Sequence, residues 1–200
     1  MPRSPRIQHP GAWHHVFNRG ASRQATFLDP HDKQTFLQHL ETAIDRYDLE
    51  CHGYCLLGNH FHLLVRTPEP ILDVSMQYLM GRYTRSFNAR HGRDGSLFRG
   101  RYRSMLIDSD RYLLAVSRYV HRNALDTGVS RVADYVWSSY RAFLGQAQCP
   151  PWLQGEFLVS LAGGRVAYEH LVESQLHSAV DVVYERKQLP VALTAQVVGV

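Results

Sequence analysis

Two histidines stand one residue apart in the apolar run GNHFHLLV, residues 58 to 65. If residues 60 to 66 form a strand, His60 and His62 point to one face, because side chains alternate with period two. At a rise of ~3.3 Å per residue their Cα atoms lie about 6.6 Å apart, close enough for two imidazoles to converge on one ion. Phe61, Leu63 and Val65 then take the other face, and Leu64 follows on the histidine face. A lone His-x-His has a second physical reading, as two hydrogen-bonded histidines on a half-exposed sheet.

The segment RYVHRNAL, residues 118 to 125, adds chemistry. On a helix, Tyr119 and Asn123 are four apart and share a face. Beside the histidine strand, Asn123 could give an ion a third, oxygen ligand, with Tyr119 one turn away. A tyrosine hydroxyl has a pKa of about 10 and attacks only when its proton is removed or its electrophile is activated. A divalent ion on a non-bridging phosphate oxygen supplies the second route. The structural alternatives are a core aromatic for Tyr119, beside the stripe Leu113, Val116 and Val120, and a helix cap for Asn123. Tyr83 is the rival nucleophile, but position 87, one turn on, is Phe. His121 lies roughly 200° round the helix from Tyr119 and should face away from the histidine pair. Either His14 or His15 could line the sheet near it, or both could be solvent-exposed histidines.

These residues need elements to position them. AWHHVFNRG (12–20) reads as a strand ending in a turn. A helix follows from a capping-type Asp29-Pro30, with Phe36, Leu37, Leu40, Ala43, Ile44 and Tyr47 at helical spacing. CHGYCLLGNHFHLLVRTPEP predicts two strands broken at Gly58-Asn59 and stopped by Pro68 and Pro70. A second helix, striped by Leu72, Met76, Leu79, Met80, Tyr83 and Phe87, ends at Gly92. A Gly-rich basic loop, a short strand YRSMLI and a third helix follow, with Asp108 or Ser109 as cap and Gly128 past its end. The order β-α-β-β-α-β, then a helix, predicts an α+β, ferredoxin-like split βαβ arrangement with an antiparallel sheet covered on one face. We assign residues 1–145 to this domain and 146–200 to a mostly helical C-terminal extension, with an amphipathic stretch from Arg165 to Arg186. The tail PVALTAQVVGV shows no clear period.

Two hundred residues with 44% hydrophobic and 20% charged content fit one globular domain with a small appendage. No apolar run reaches the roughly 20 residues of a membrane span, and MPRSPRIQHPG lacks a signal peptide's apolar stretch, so a cytoplasmic protein is expected. Cys51 and Cys55 have CxxxC spacing without a second pair for zinc. On one side of a strand they read as small buried hydrophobes. The net charge is +4, concentrated in residues 82 to 103, where seven arginines face one acid, Asp94. Arginine forks suit phosphate, and the interleaved Tyr83, Phe87, Phe98 and Tyr102 read either as base-stacking platforms or as core aromatics.

Together, NHFHLLV, the YxxxN helix, SLFRGRYRS and VWSSYRAF resemble the IS200-type transposases, single-tyrosine nucleases with a histidine, hydrophobe, histidine motif. The likeness runs from about Gly11 to Phe143 and is closest to the branch associated with repetitive extragenic palindromes. It implies the same split βαβ fold. It also implies His60 and His62 as ligands to Mg²⁺ or Mn²⁺, with Asn123 completing the site and Tyr119 as nucleophile. The implied reaction is cleavage of single-stranded or hairpin DNA with the enzyme left on the 5′-phosphate, by a monomer or homodimer. Backbone contacts fall to the basic stretch, at Arg82, Arg85, Arg90, Arg99, Arg101 and Arg103. Two positions depart from the family pattern: Ala124 stands where many members have proline, and Gly58 where they have proline before the asparagine. Both lie at an element's end or in a turn, and neither removes a catalytic group.

Three other readings share parts of this pattern. A non-catalytic DNA-hairpin-binding protein on the same fold would have no need for the full set His60, His62, Tyr119 and Asn123. An RNA-binding sheet needs stacked aromatics on its central strands, and CHGYCLLG offers only Tyr54. A replication initiator shares the chemistry but not the small size and single candidate tyrosine.

Overall fold

Alternation along Ala12–Arg19 divides its side chains between two faces. Ala12, His14, Val16 and Asn18 are buried on one face, while on the other Trp13, Phe17 and Arg19 are only partly so and His15 alone is buried. In the computed structural model, which describes residues 9–174, this strand (β1) lies inside a four-stranded antiparallel sheet. The other strands are β2 (Glu50–Leu56), β3 (His60–Thr67) and β4 (Arg103–Ile107), in the order β2-β3-β1-β4. Helices α1 (Pro30–Tyr47) and α2 (Leu72–His91) are the two crossovers. This is the split βαβ order expected from the sequence.

Local chemistry sets the helix ends. Asp29 caps α1 by accepting from the Asp32 amide at 3.1 Å, Pro30 opens the helix, and Asp32 reaches back to the Leu28 amide at 2.8 Å. Gly92 closes α2 in the left-handed region at φ 61°, its amide bonding the Asn88 carbonyl. At the end of β1, a Cβ on Gly20 would sit 2.1 Å from the Gln24 carbonyl oxygen, so the turn admits only glycine. Helix α3 (Asp110–Arg122) starts at Ser109, whose side chain makes no capping bond. Asp110 supplies the favourable first-turn charge instead. The chain then tightens into a 3-10 turn, Asn123–Thr127, ending at Gly128.

α1 and α2 bury Phe36, Leu40, Met76, Leu79, Tyr83 and Phe87 against Phe61, Leu63 and Val65. Each large apolar side chain removed from water contributes about 1.5–3 kcal/mol. The other face is covered as well, where one covered face was expected. α3 lays Leu113, Val116 and Val120 over β2 and β3, and Tyr168 packs behind it. The β1–β4 half stays more open, with Phe17 and Met105 half-buried and Arg103 exposed.

Beyond residue 145 come two short helices, α5 (Glu156–Leu161) and α6 (Arg165–Glu173), after α4 (Tyr140–Phe143). They pack on α3. Arg118 and Arg122 of α3 donate to the carbonyls of Leu171, Val172 and Ser174, at the end of α6 where carbonyls lack helical partners. The Trp137–Ser139 segment covers the outer edge of β2: the Leu56 amide donates to the Trp137 carbonyl and the Ser139 amide to the Tyr54 carbonyl. The predicted continuation of the last helix to Arg186, and the tail after it, lie outside the described residues. Cys51 and Cys55 are both buried and free, but they take opposite faces. A register shift between Cys51 and Gly53 places Cys51 across from Val65 and Cys55 across from His62.

Candidate active site

Register brings the polar residues of three strands onto one face. On β3, His60 and His62 share the α3 side of the sheet, their rings 5.2 Å apart. Across on β1, Arg19 pairs with His60, Phe17 with His62 and His15 with Leu64. One strand further, Arg103 pairs with Phe17 and Met105 with His15. Directly opposed residues share a face, so Arg103, Phe17 and His62 form one row. α3 lands beside this row. The Tyr119 ring meets His62 edge-on at 5.6 Å and His15 edge-on at 5.7 Å. The site therefore lies at the rim of α3, where the covered half of the sheet meets the open half.

The hydrogen bonds decide which atoms point where. Asn59 donates its amide nitrogen to the Arg23 carbonyl at 3.1 Å, which fixes its side-chain oxygen as the atom facing His60 Nδ1 at 2.7 Å. An amide oxygen only accepts, so His60 carries its proton on Nδ1 and its lone pair on Nε2. His62 Nδ1 lies 2.9 Å from His15 Nε2, and both rings are buried. Burial holds His15 neutral, its pKa down to about 3. Burial also pushes His62 well below the ordinary histidine value, with the neighbouring His15, His60 and Arg19 charges adding to it. Asn123, 8% exposed, donates its amide nitrogen to the Tyr119 carbonyl at 2.7 Å, which leaves its Oδ1 as the atom with lone pairs to offer.

This donor set can hold a divalent cation: neutral imidazole nitrogens suit borderline transition ions, and an amide oxygen suits harder ones such as Mg²⁺ and Mn²⁺. Among the described residues, no three His, Cys, Asp or Glu side chains come together as a metal-holding group. A three-ligand site here would therefore need an oxygen donor of another type, and Asn123 Oδ1, one turn past Tyr119, is the candidate.

The remaining candidates divide. Tyr83 is fully buried on the opposite face of the sheet, its hydroxyl donating to the Thr26 carbonyl, in a cluster with Phe27, Phe36 and Phe87. The aromatics of the basic stretch are core: Tyr83, Phe87, Phe98 and Tyr102 are all buried and present no face to a base. The arginines separate into three groups. Arg82 and Arg85 lie exposed on α2, near His39 on the far side of the sheet. Arg90 grips Asp29 and Asp32 at 2.6 Å each, tying the end of α2 to the start of α1. Arg99, Arg101 and Arg103 are exposed where the chain enters β4, the Arg99 amide bonding the Arg19 carbonyl. Arg19 joins this face as well, opposite His60, where period two from His15 through Phe17 places it. His14 takes the other face, its pKa down to about 4 by burial and by nearby His9. His121 turns from the site to Ser139 and Tyr168.

The description "Transposase IS200 like" names a family whose model matches residues 10–123. A REP-associated tyrosine transposase solved bound to a REP hairpin superposes with a TM-score of 0.62, at 17% identity, over 78% of this chain and 92% of that one. A protein described as a candidate transposase from Deinococcus radiodurans R1 gives a TM-score of 0.43, at 16% identity, over 60% of this chain and 95% of that one. No curated protein matches the chain.

Proposed function

We propose that this chain, which belongs to the IS200-like transposase family, cuts and rejoins single-stranded DNA through a covalent link between Tyr119 and a 5′-phosphate. The observation that carries this reading is the Tyr119 ring set edge-on to His62 at 5.6 Å, over a sheet face that already holds His60. Tyr119 Oη attacks the scissile phosphorus as the P–O3′ bond breaks. The hydroxyl proton leaves to solvent, and the departing 3′ oxygen takes one up. One phosphodiester replaces another, so a different 3′-OH can reverse the step and join new strands without an external energy source. Mg²⁺ or Mn²⁺ bound by His60, His62 and Asn123 would draw charge from a non-bridging phosphate oxygen. Arg19 and Arg103 flank the histidine face and suit the backbone phosphates on either side.

The substrate class we infer is hairpin DNA with a short single-stranded flank. The REP hairpin of the 17%-identical transposase supports it, as do the exposed Arg99, Arg101 and Arg103. Tyr119 and the histidines it faces belong to one chain, so a monomer can work in cis.

The test is a denaturing gel of protein, labelled hairpin DNA and Mn²⁺. Wild type should give a slow covalent band that Tyr119→Phe lacks, with hairpin binding on a native gel kept by both. A band of equal strength from the variant would place the nucleophile elsewhere. His62→Ala should cut no faster with Mn²⁺ than without it.

A further inference from the structure

We infer that His15 is a positioning residue that accepts the Nδ1 proton of His62 and so turns the lone pair of His62 Nε2 toward the reacting face. The inference rests on the metal-dependent reading above.

The argument runs through hydrogen-bond direction. Two buried neutral imidazoles 2.9 Å apart share one proton along their line, and two arrangements satisfy the distance. In one, His15 donates from Nε2. His62 then holds its own proton on Nε2, the nitrogen it would need as a ligand, and the site is blocked. In the other, His62 donates from Nδ1, and Nε2 keeps its lone pair. Only the second lets His62 ligate through Nε2.

His60, whose tautomer is fixed independently, has the same arrangement. Asn59 accepts from Nδ1, and the lone pair falls on Nε2. His15 thus stands to His62 as Asn59 stands to His60, an acceptor behind the ring. The rings of His15 and His62 are nearly parallel, 16° between planes, and Tyr119 closes over both edge-on. His15 reaches His62 diagonally across β1 and β3, since the residue directly opposite His62 is Phe17. His15 is no third ligand in this arrangement, because its Nε2 lone pair accepts from His62 and its own proton then sits on the buried Nδ1.

The test uses the full chain with histidines labelled in ¹⁵N, free of metal, and long-range ¹H–¹⁵N spectra that report which nitrogen carries each proton. Wild-type His62 should be protonated on Nδ1. In His15→Phe it should shift toward the Nε2-protonated form, and Mn²⁺ affinity by titration should fall about 10- to 100-fold. His15→Gln, whose side-chain oxygen can accept the same proton, should restore both the tautomer and most of the affinity. Wild-type His62 protonated on Nε2 overturns the inference, and this measurement stands even if His15→Phe fails to fold. Equal Mn²⁺ affinity in a folded His15→Phe overturns it too. Either result leaves the metal reading intact, whereas wild type that binds no Mn²⁺ removes both.

Discussion

His121 offers a test of how α3 is seated behind Tyr119. It is fully buried, its Nε2 2.8 Å from Ser139 Oγ and its Nδ1 3.0 Å from the Tyr168 hydroxyl, and burial holds its pKa at about 3 against 6.5 for an exposed histidine. Between those values the unfolded chain binds a proton that the folded chain refuses. Stability is therefore full above pH ~6.5 and falls as pH drops from there toward about 3. At pH 5 the gap is about 1.5 pH units, which at about 1.4 kcal/mol each costs ~2 kcal/mol. His121→Gln keeps a polar partner for Ser139 but cannot titrate. Urea unfolding of both proteins at pH 7.5 and pH 5 should show an acid loss ~2 kcal/mol smaller in the variant. Losses from His14, His15 and His62 occur in both proteins and cancel in the comparison. An acid loss equal to that of wild type would refute the burial argument for His121.

Three further outcomes follow from the arginines. Arg118→Ala removes donors to the Leu171 and Ser174 carbonyls from a buried position and should lower urea stability by roughly 1.5–3 kcal/mol. Limited proteolysis should then cut near Gly163-Gly164, where α6 keeps only part of its hold through Arg122; unchanged stability would mean that the Arg118 bonds between α3 and α6 contribute nothing. Arg99, Arg101 and Arg103 replaced together by Ala should weaken binding to single-stranded DNA and flatten its log-log salt slope by about 2. Arg90→Ala should leave that slope unchanged and lower the melting temperature, because Arg90 is held by Asp29 and Asp32.

Much of the fold was legible in local patterns. Period two in AWHHVFNRG and HFHLLV, period 3.6 in the helices, and glycine at 92 and 128 sufficed for the element order. The His60–His62 pair and the Tyr119–Asn123 turn were visible because each is a short-range spacing. What was hidden depends on partners distant in sequence. Whether Tyr83, Phe87, Phe98 and Tyr102 stack on bases or fill the core is settled by α1 and β3. Whether Arg90 meets phosphate or carboxylate is settled by Asp29 and Asp32, about sixty positions away. The bulge in β2 inverts Cys51 relative to Cys55, and no residue in CHGYC announces it. His15 shares a face with Phe17 and Arg19 by simple alternation, but its bond to His62 needs the register of β1 on β3. The cover that α3 places on the second sheet face follows from the apolar stripe Leu113, Val116 and Val120, once Leu64 and His62 stand beneath it.

The central claim is that Tyr119 is the nucleophile, and peptide mapping of the DNA adduct tests it most directly. Trypsin cuts after Arg118 and Arg122 and releases Tyr119–Arg122 as the peptide YVHR. After reaction with hairpin DNA and Mn²⁺, then nuclease trimming, this peptide should carry the 5′-nucleotide through an acid-stable tyrosine phosphodiester. An acid-labile link in the same peptide, marking His121, or a nucleotide on the Tyr83 peptide, would contradict the account.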